Sequence, residues 1–172
     1  EIITELRKHT SSVFRIDANA AWKKEEALEK IILFKDLNVE FIEQPLAKDD
    51  WEGMQFLFEH SPLPLIADES CVAENDVEKC KNHFHGINIK LTKCSGITPA
   101  LRMIEKAREL NLKVMVGSMN ESAVGTAAIA QLLPFIDYVD MDGPLLLAED
   151  VAEGVTFDFG KIIYNEINGI GV

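Results

Sequence analysis

Apolar residues along this chain fall into two alternating patterns. Short runs rich in β-branched residues recur at Val13–Asp17, Val39–Glu43, Leu63–Asp68, Gly86–Lys90, Leu112–Gly117 and Ile136–Asp140, and each reads as a strand. Between them lie longer stretches with helical spacing. Lys24–Asp36 places Ala27, Leu28, Ile31, Ile32 and Phe34 on one broad face, and Asp49 or Asp50 can cap a helix that turns Trp51, Met54 and Phe58 inward. Thr98-Pro99 reads as an N-cap followed by a proline at the first helical position, with Ala100, Met103, Ile104, Ala107 and Leu110 continuing the period. Glu1–His9 reads as the end of a helix. Such alternation predicts a parallel sheet with helices packed on it.

The strand ends separate two architectures. The last residues of the six runs are Asp17, Glu43, Asp68, Lys90, Gly117 and Asp140, spaced 22 to 27 residues apart. All but Gly117 are charged. A doubly wound sheet has no reason to end nearly every strand in a charge, whereas a (β/α)8 barrel gathers its C-terminal strand ends at one mouth, where reacting groups sit. The expected fold is therefore α/β, a TIM-type (β/α) barrel that is incomplete, since such barrels have eight strands and run to ~250 residues. Residues 1–152 are assigned to the partial barrel and residues 153–172 to a C-terminal tail. Folded proteins normally cover unpaired strand edges. The expectation is a piece of a longer polypeptide, or closure by another chain, with a homo-oligomer as one form of it.

Side-chain alternation decides which residues face the barrel axis. Arg15 and Asp17 point inward, as do Glu43 and Asp68, so three consecutive strands each deliver one carboxylate to the mouth. Three carboxylates that close repel one another unless a cation neutralises them. All-oxygen ligation with one ligand per strand suits Mg²⁺; the alternative is three unrelated surface acids. Asn88 and Lys90 follow on the axis side. A lysine aimed at a bound divalent cation is disfavoured as ammonium, so its pKa is expected to fall toward that of a general base; the alternative is a lysine that merely balances the acids. Lys93 has the opposite parity and is expected at the rim. Asp140 and Asp142 are two apart and suit a substrate ammonium group, unless they only form the turn before Gly143-Pro144.

Composition narrows the partners. Lys plus Arg number 17 against 29 Asp plus Glu, a net charge of −12 with no basic cluster. That argues against nucleic acid and against anionic membrane surfaces. The least polar stretch, Ser122–Ile136, is interrupted by Gly125, Gln131 and Pro134 and is too short to span a bilayer; the first ten residues lack a signal-peptide core. Cys71, Cys80 and Cys94 make an odd count without paired spacing, which suits reduced thiols and a cytoplasmic location. Cys80, His83 and His85 lack a fourth ligand at zinc-site spacing.

The motifs around these residues carry a family resemblance. Asp17-Ala18-Asn19 with Trp22, Glu43-Gln44-Pro45, Ala67-Asp68-Glu69-Ser70 and Ile89-Lys90-Leu91-Thr92-Lys93 resemble the muconate-lactonizing subgroup of the enolase superfamily. Gly117-Ser118-Met119 and Asp140-Met141-Asp142 narrow the likeness to the C-terminal barrel portion of a dipeptide epimerase, over essentially the whole chain. The resemblance implies that Asp17, Glu43 and Asp68 are Mg²⁺ ligands and Lys90 an acid/base. It implies that Asp140 and Asp142 bind the amino group of a small dipeptide, that Ser118, Met119 and Asn120 meet the substrate, and that Asn19, Asn88 and Lys93 support these groups. The implied reaction is 1,1-proton transfer through an enediolate, chemistry shared by enolase-type sites in general. Two features of the family are unmatched: a second catalytic lysine in a Lys-x-Lys motif, and the capping domain whose loops choose the substrate. Ser95-Gly96 also stands where relatives often have two glycines. Two rival readings are a cycloisomerase or succinylbenzoate-forming dehydratase of the same superfamily, which needs no ammonium-binding pair, and a non-catalytic metal-binding barrel fragment that needs a partner chain.

Overall fold

A computed structural model describes all of residues 1–172. A short exposed helix, α1 (Ile2–Arg7), leads into five βα units: β1 (Phe14–Asp17), α2 (Lys24–Lys35), β2 (Val39–Glu43), α3 (Trp51–His60), β3 (Leu65–Ala67), α4 (Val77–Cys80), β4 (Gly86–Lys90), α5 (Leu91–Cys94), α6 (Ile97–Glu109), β5 (Lys113–Gly117) and α7 (Ala123–Ala130). A sixth strand, β6 (Tyr138–Val139), ends the sheet, and a separate hairpin, β7 (Thr156–Asp158) with β8 (Lys161–Ile163), follows. The six strands pair in sequence order, all parallel, and the sheet does not close on itself.

Two apolar layers lie on opposite faces of this sheet. Ile42, Leu65, Ala67, Ile87, Ile89, Val114 and Val116 alternate outward into the main core against Ala27, Ile31, Met54, Leu57, Ala100, Met103 and Ala107 of the helices. Burying each large aliphatic side chain contributes about 1.5–3 kcal/mol, so this layer supplies most of the cohesion. On the axis side Phe41, Ile66 and Met115 form a small second cluster with Tyr138 against it. The same alternation carries Asp17, Glu43, Asn88 and Lys90 to the axis side.

Several local expectations need correction. Asp50 does cap α3, accepting from the Gly53 N–H at 2.9 Å, but the buried positions are Gly53, Met54 and Leu57 while Phe58 is only half-buried. In α2, Ala27 and Ile31 are buried, whereas Ile32 is 52% exposed. The stripe facing the sheet is narrower than the run of apolar residues. Helix α6 begins two residues earlier than Thr98-Pro99 suggests: Ser95 is left-handed and Gly96, the N-cap, has φ +110°, which a glycine tolerates. Thr98 therefore lies inside the helix, and Pro99 falls in the first turn, where no N–H is needed. Asp68 and Asp140 sit one residue beyond their strands. The C-terminal segment packs back on α7: the Tyr164 hydroxyl donates to the Ala130 carbonyl at 2.7 Å, and Val155 is buried. No helix is long and apolar enough to cross a membrane.

Candidate active site

The C-terminal strand ends bring most of the expected polar residues together. Asp17 and Glu43 are register partners across β1 and β2. Asp17 accepts the Asn19 N–H at 2.8 Å, an Asx-type turn in which Asn19 and Ala20 both have positive φ. Glu43 is almost fully buried and receives the Asn88 side-chain amide at 2.6 Å. Asp68 is 1% exposed. Its two carboxylate oxygens each accept one ammonium, Lys90 and Lys93, both at 2.7 Å. Lys93 thus belongs to the site and not to the rim, because the chain turns into α5 directly after Lys90 and swings Lys93 back over Asp68.

Charge state follows from this packing. Burial raises the Glu43 carboxyl to about 7; the Asn88 bond opposes that rise, the charges of Asp17 and Asp68 add to it, and Lys90 opposes it. Burial on its own would lower the Lys90 ammonium. The hydrogen bond to Asp68 and the charges of Asp68, Glu43 and Asp17 outweigh it, so the pKa is raised. With carboxylates alone facing it, the ammonium is the favoured form; the depression expected of Lys90 belongs to a site that holds a divalent cation. Asp140 is raised by burial of its carboxyl and then by the charge of Asp142 beside it, partly offset by Lys90.

Arg15, Asp17, Phe41, Glu43, Met115, Val139 and Asp140 line a cleft of about 290 Å³. Arg15 reaches across it. Its Nε donates to Glu40 at 2.8 Å and its Nη1 to the Val139 carbonyl at 3.4 Å, with the guanidinium 5.0 Å from the Tyr138 ring centre. Ser118, Met119 and Asn120 lie in the loop after β5 and do not line this cleft; Met119 and Asn120 are exposed.

The donor set fits a hard divalent cation. Its members are all oxygen, one per adjacent strand, and Glu43 bears the electrostatic strain of two neighbouring carboxylates that such a charge relieves. The side chains are not gathered into a closed shell: no three His, Cys, Asp or Glu residues converge on one point. Asp68 would have to give up lysine contacts to ligate.

Gln44 is the residue that sequence reasoning missed. It is fully buried and saturates its amide: Nε2 donates to the Leu46 carbonyl and the Ser70 hydroxyl, both at 2.9 Å, while Oε1 accepts the N–H groups of Asp68 at 3.0 Å and Ser70 at 3.1 Å. The backbone that presents Asp68 is thereby tied to the turn after Glu43. Gln44 lies one residue beyond β2 with a φ of +32°, so strand parity carried no signal for it.

Comparison with known proteins gives consistent matches. The family model for enolase C-terminal domain-like proteins matches residues 1–172. An L-Ala-D/L-amino acid epimerase of Flavobacterium johnsoniae is 60% identical over 172 residues, covering 100% of this chain and 51% of that protein. A substrate-liganded L-Ala-D/L-Glu epimerase from Bacillus subtilis superposes with a TM-score of 0.93 at 33% identity, over 98% of this chain and 50% of that one. A dipeptide epimerase from Cytophaga hutchinsonii, complexed with Mg and D-Ala-L-Val, gives 0.92 at 31% identity, over 98% and 48%. The chain spans about half the length of the curated relatives it matches.

Proposed function

Because the chain belongs to the enolase C-terminal domain-like family, we propose that it carries the metal-binding and proton-transferring half of a dipeptide epimerase. The observation that carries the reading is the run of one carboxylate on each of three consecutive strand ends with Lys90 on the fourth, in ion-pair contact with the third. Asp17, Glu43 and Asp68 would hold Mg²⁺, whose charge would stabilise negative charge developing on a substrate carboxylate.

The chain's own residues supply the rest. Lys90, as free amine, takes the α-proton from one face of the substrate and, as ammonium, returns it. Lys93 and Lys90 share Asp68, so either lysine can leave that carboxylate while the other still balances it. Asp140 and Asp142 lie two residues apart just after β6, and the charge of Asp142 adds to the burial that raises the Asp140 pKa; an ammonium group would relieve that repulsion. That pairing favours a substrate with a free amine over the cycloisomerase and dehydratase readings. Inversion needs a base on each face of the planar carbanion; Lys90 would serve one face, and a second base would have to be supplied to the other.

The test is proton NMR of L-Ala-L-Glu, L-Ala-L-Ala and L-Ala-L-Phe in D₂O with Mg²⁺, then with chelator. The protein is this chain fused behind the N-terminal half of the Flavobacterium johnsoniae relative. The expected result is Mg²⁺-dependent inversion with deuterium incorporated, abolished by Lys90→Ala. Near-normal turnover in Lys90→Ala would overturn the assignment.

A further inference from the structure

The Glu43 carboxylate is held by a side chain that is itself held by an absence. Asn88 is 2% exposed, and its Nδ2 donates to Glu43 Oε1 at 2.6 Å. Its Oδ1 is buried with no hydrogen-bond partner. Only the NH₂ edge of an amide can face a carboxylate, because turning it over would set oxygen against oxygen. The amide orientation is therefore fixed by Glu43, and keeping it leaves the other edge unsatisfied.

Gly117, the last residue of β5 and the register partner of Lys90, lies beneath this amide. A Cβ at Gly117 would stand 2.7 Å from Asn88 Nδ2, 2.7 Å from Oδ1 and 3.1 Å from Cγ. Near-equal distances to Nδ2 and Oδ1, with Cγ farther away, mean the amide points its tip end-on at the glycine. Gly117 is not among the residues with positive φ, so backbone freedom does not explain it. What the position requires is the absence of a side chain. The far end of a flexible side chain could step aside, but Asn88 is enclosed and can move only by breaking its bond to Glu43.

The geometry points to Gly117 as a positioning residue for the metal site, acting through Asn88: the bare Cα leaves the room that the amide tip needs while its Nδ2 holds Glu43. This rests on the metal-site reading above, which names Glu43 as a ligand and says nothing of Gly117. Partners of that kind typically govern metal affinity by about 10–100-fold.

The experiment is a double-mutant cycle on the full 172-residue chain with two readouts. The first needs no metal: the side-chain amide resonances of Asn88 in ¹H–¹⁵N spectra, assigned by their loss in Asn88→Ala. Gly117→Ala is expected to shift these resonances and to speed their exchange with water. The second is Mg²⁺ titration by calorimetry. Gly117→Ala is expected to weaken binding by about tenfold or more, and Gly117→Ala in the Asn88→Ala background to add no further loss. Should Gly117→Ala fail to fold, Asn88→Ala is expected to rescue it by vacating the space. Unshifted Asn88 resonances, a Gly117→Ala loss that persists in full without Asn88, or a misfolded single variant that Asn88→Ala does not rescue would each overturn the proposal. A wild-type chain that binds no Mg²⁺ would count against the metal reading instead, and the resonances would still decide the role of Gly117.

Discussion

Replacing Gln44 by leucine keeps much of the side-chain volume and removes all four of its hydrogen bonds. Ser70 Oγ still donates to the Lys48 carbonyl at 3.0 Å, so three groups are left stranded: the Asp68 N–H, the Ser70 N–H and the Leu46 carbonyl. Asp68, Ser70 and Leu46 are all buried. Each stranded buried group costs about 1–3 kcal/mol, and leucine recovers part of that by its own apolar burial. The net expectation is a loss of about 3 kcal/mol, large against the roughly 5–15 kcal/mol that holds a domain together. Urea unfolding followed by circular dichroism measures it. With a slope of about 2 kcal/mol/M the midpoint should fall by about 1.5 M. The exposed Gln55→Leu serves as control, since its amide donates only to Glu59 at 3.3 Å. A Gln44→Leu midpoint within about 0.3 M of that control would refute the claim that this amide anchors the Asp68 turn.

Three further outcomes follow from the site and the strand starts. Asp142→Asn should weaken binding of a dipeptide with a free amino terminus and leave its N-acetylated analogue unaffected, as read by calorimetry on the completed enzyme. Glu43 has a folded pKa near 7 against an ordinary 4.5, so the protonated form's stabilisation is complete below about 4.5 and lost as pH rises through 7. In chelator at pH 8, Glu43→Gln should therefore unfold at higher urea than wild type, by an amount worth on the order of 2–3 kcal/mol, and added Mg²⁺ should reverse the order. His85 is shifted the other way: burial lowers its pKa below 6.5, and its Nδ1 accepts the Leu65 N–H at 3.1 Å, which only the unprotonated ring can do. The unfolded chain takes up that proton first, so stability is full above about 6.5 and declines as pH falls below it. His85→Gln should remove that component, and identical pH profiles for the two proteins would contradict it.

Strand alternation was legible because it is local. Parity alone carried Asp17, Glu43, Asn88 and Lys90 to one side of the sheet, and charged strand ends distinguished a barrel mouth from a doubly wound sheet. Where the chain leaves a strand, parity has no meaning. Lys93 was misplaced for that reason: a single turn of helix after Lys90, closed by the left-handed Ser95, replaces the extended geometry that parity assumes. The start of α6 was missed by two residues because Gly96 takes over the capping role assigned to Thr98. Ile32 and Phe58 show a different gap, since an apolar residue in a helix says nothing of which neighbour covers it. Gln44 and Gly117 were opaque for a deeper reason: each matters through atoms contributed by another strand or turn, and a one-dimensional pattern does not show what lies across the gap.

Arg15 has a consequence for the open edges of the sheet. Its side chain spans from β1 to the carbonyl of Val139 on β6, the first and last strands of the sheet. A guanidinium stiffened by Glu40 and two aromatic rings thus bridges the two unpaired edges across the cleft. The curvature of the sheet is held from its open side as well as through the strand ladder between.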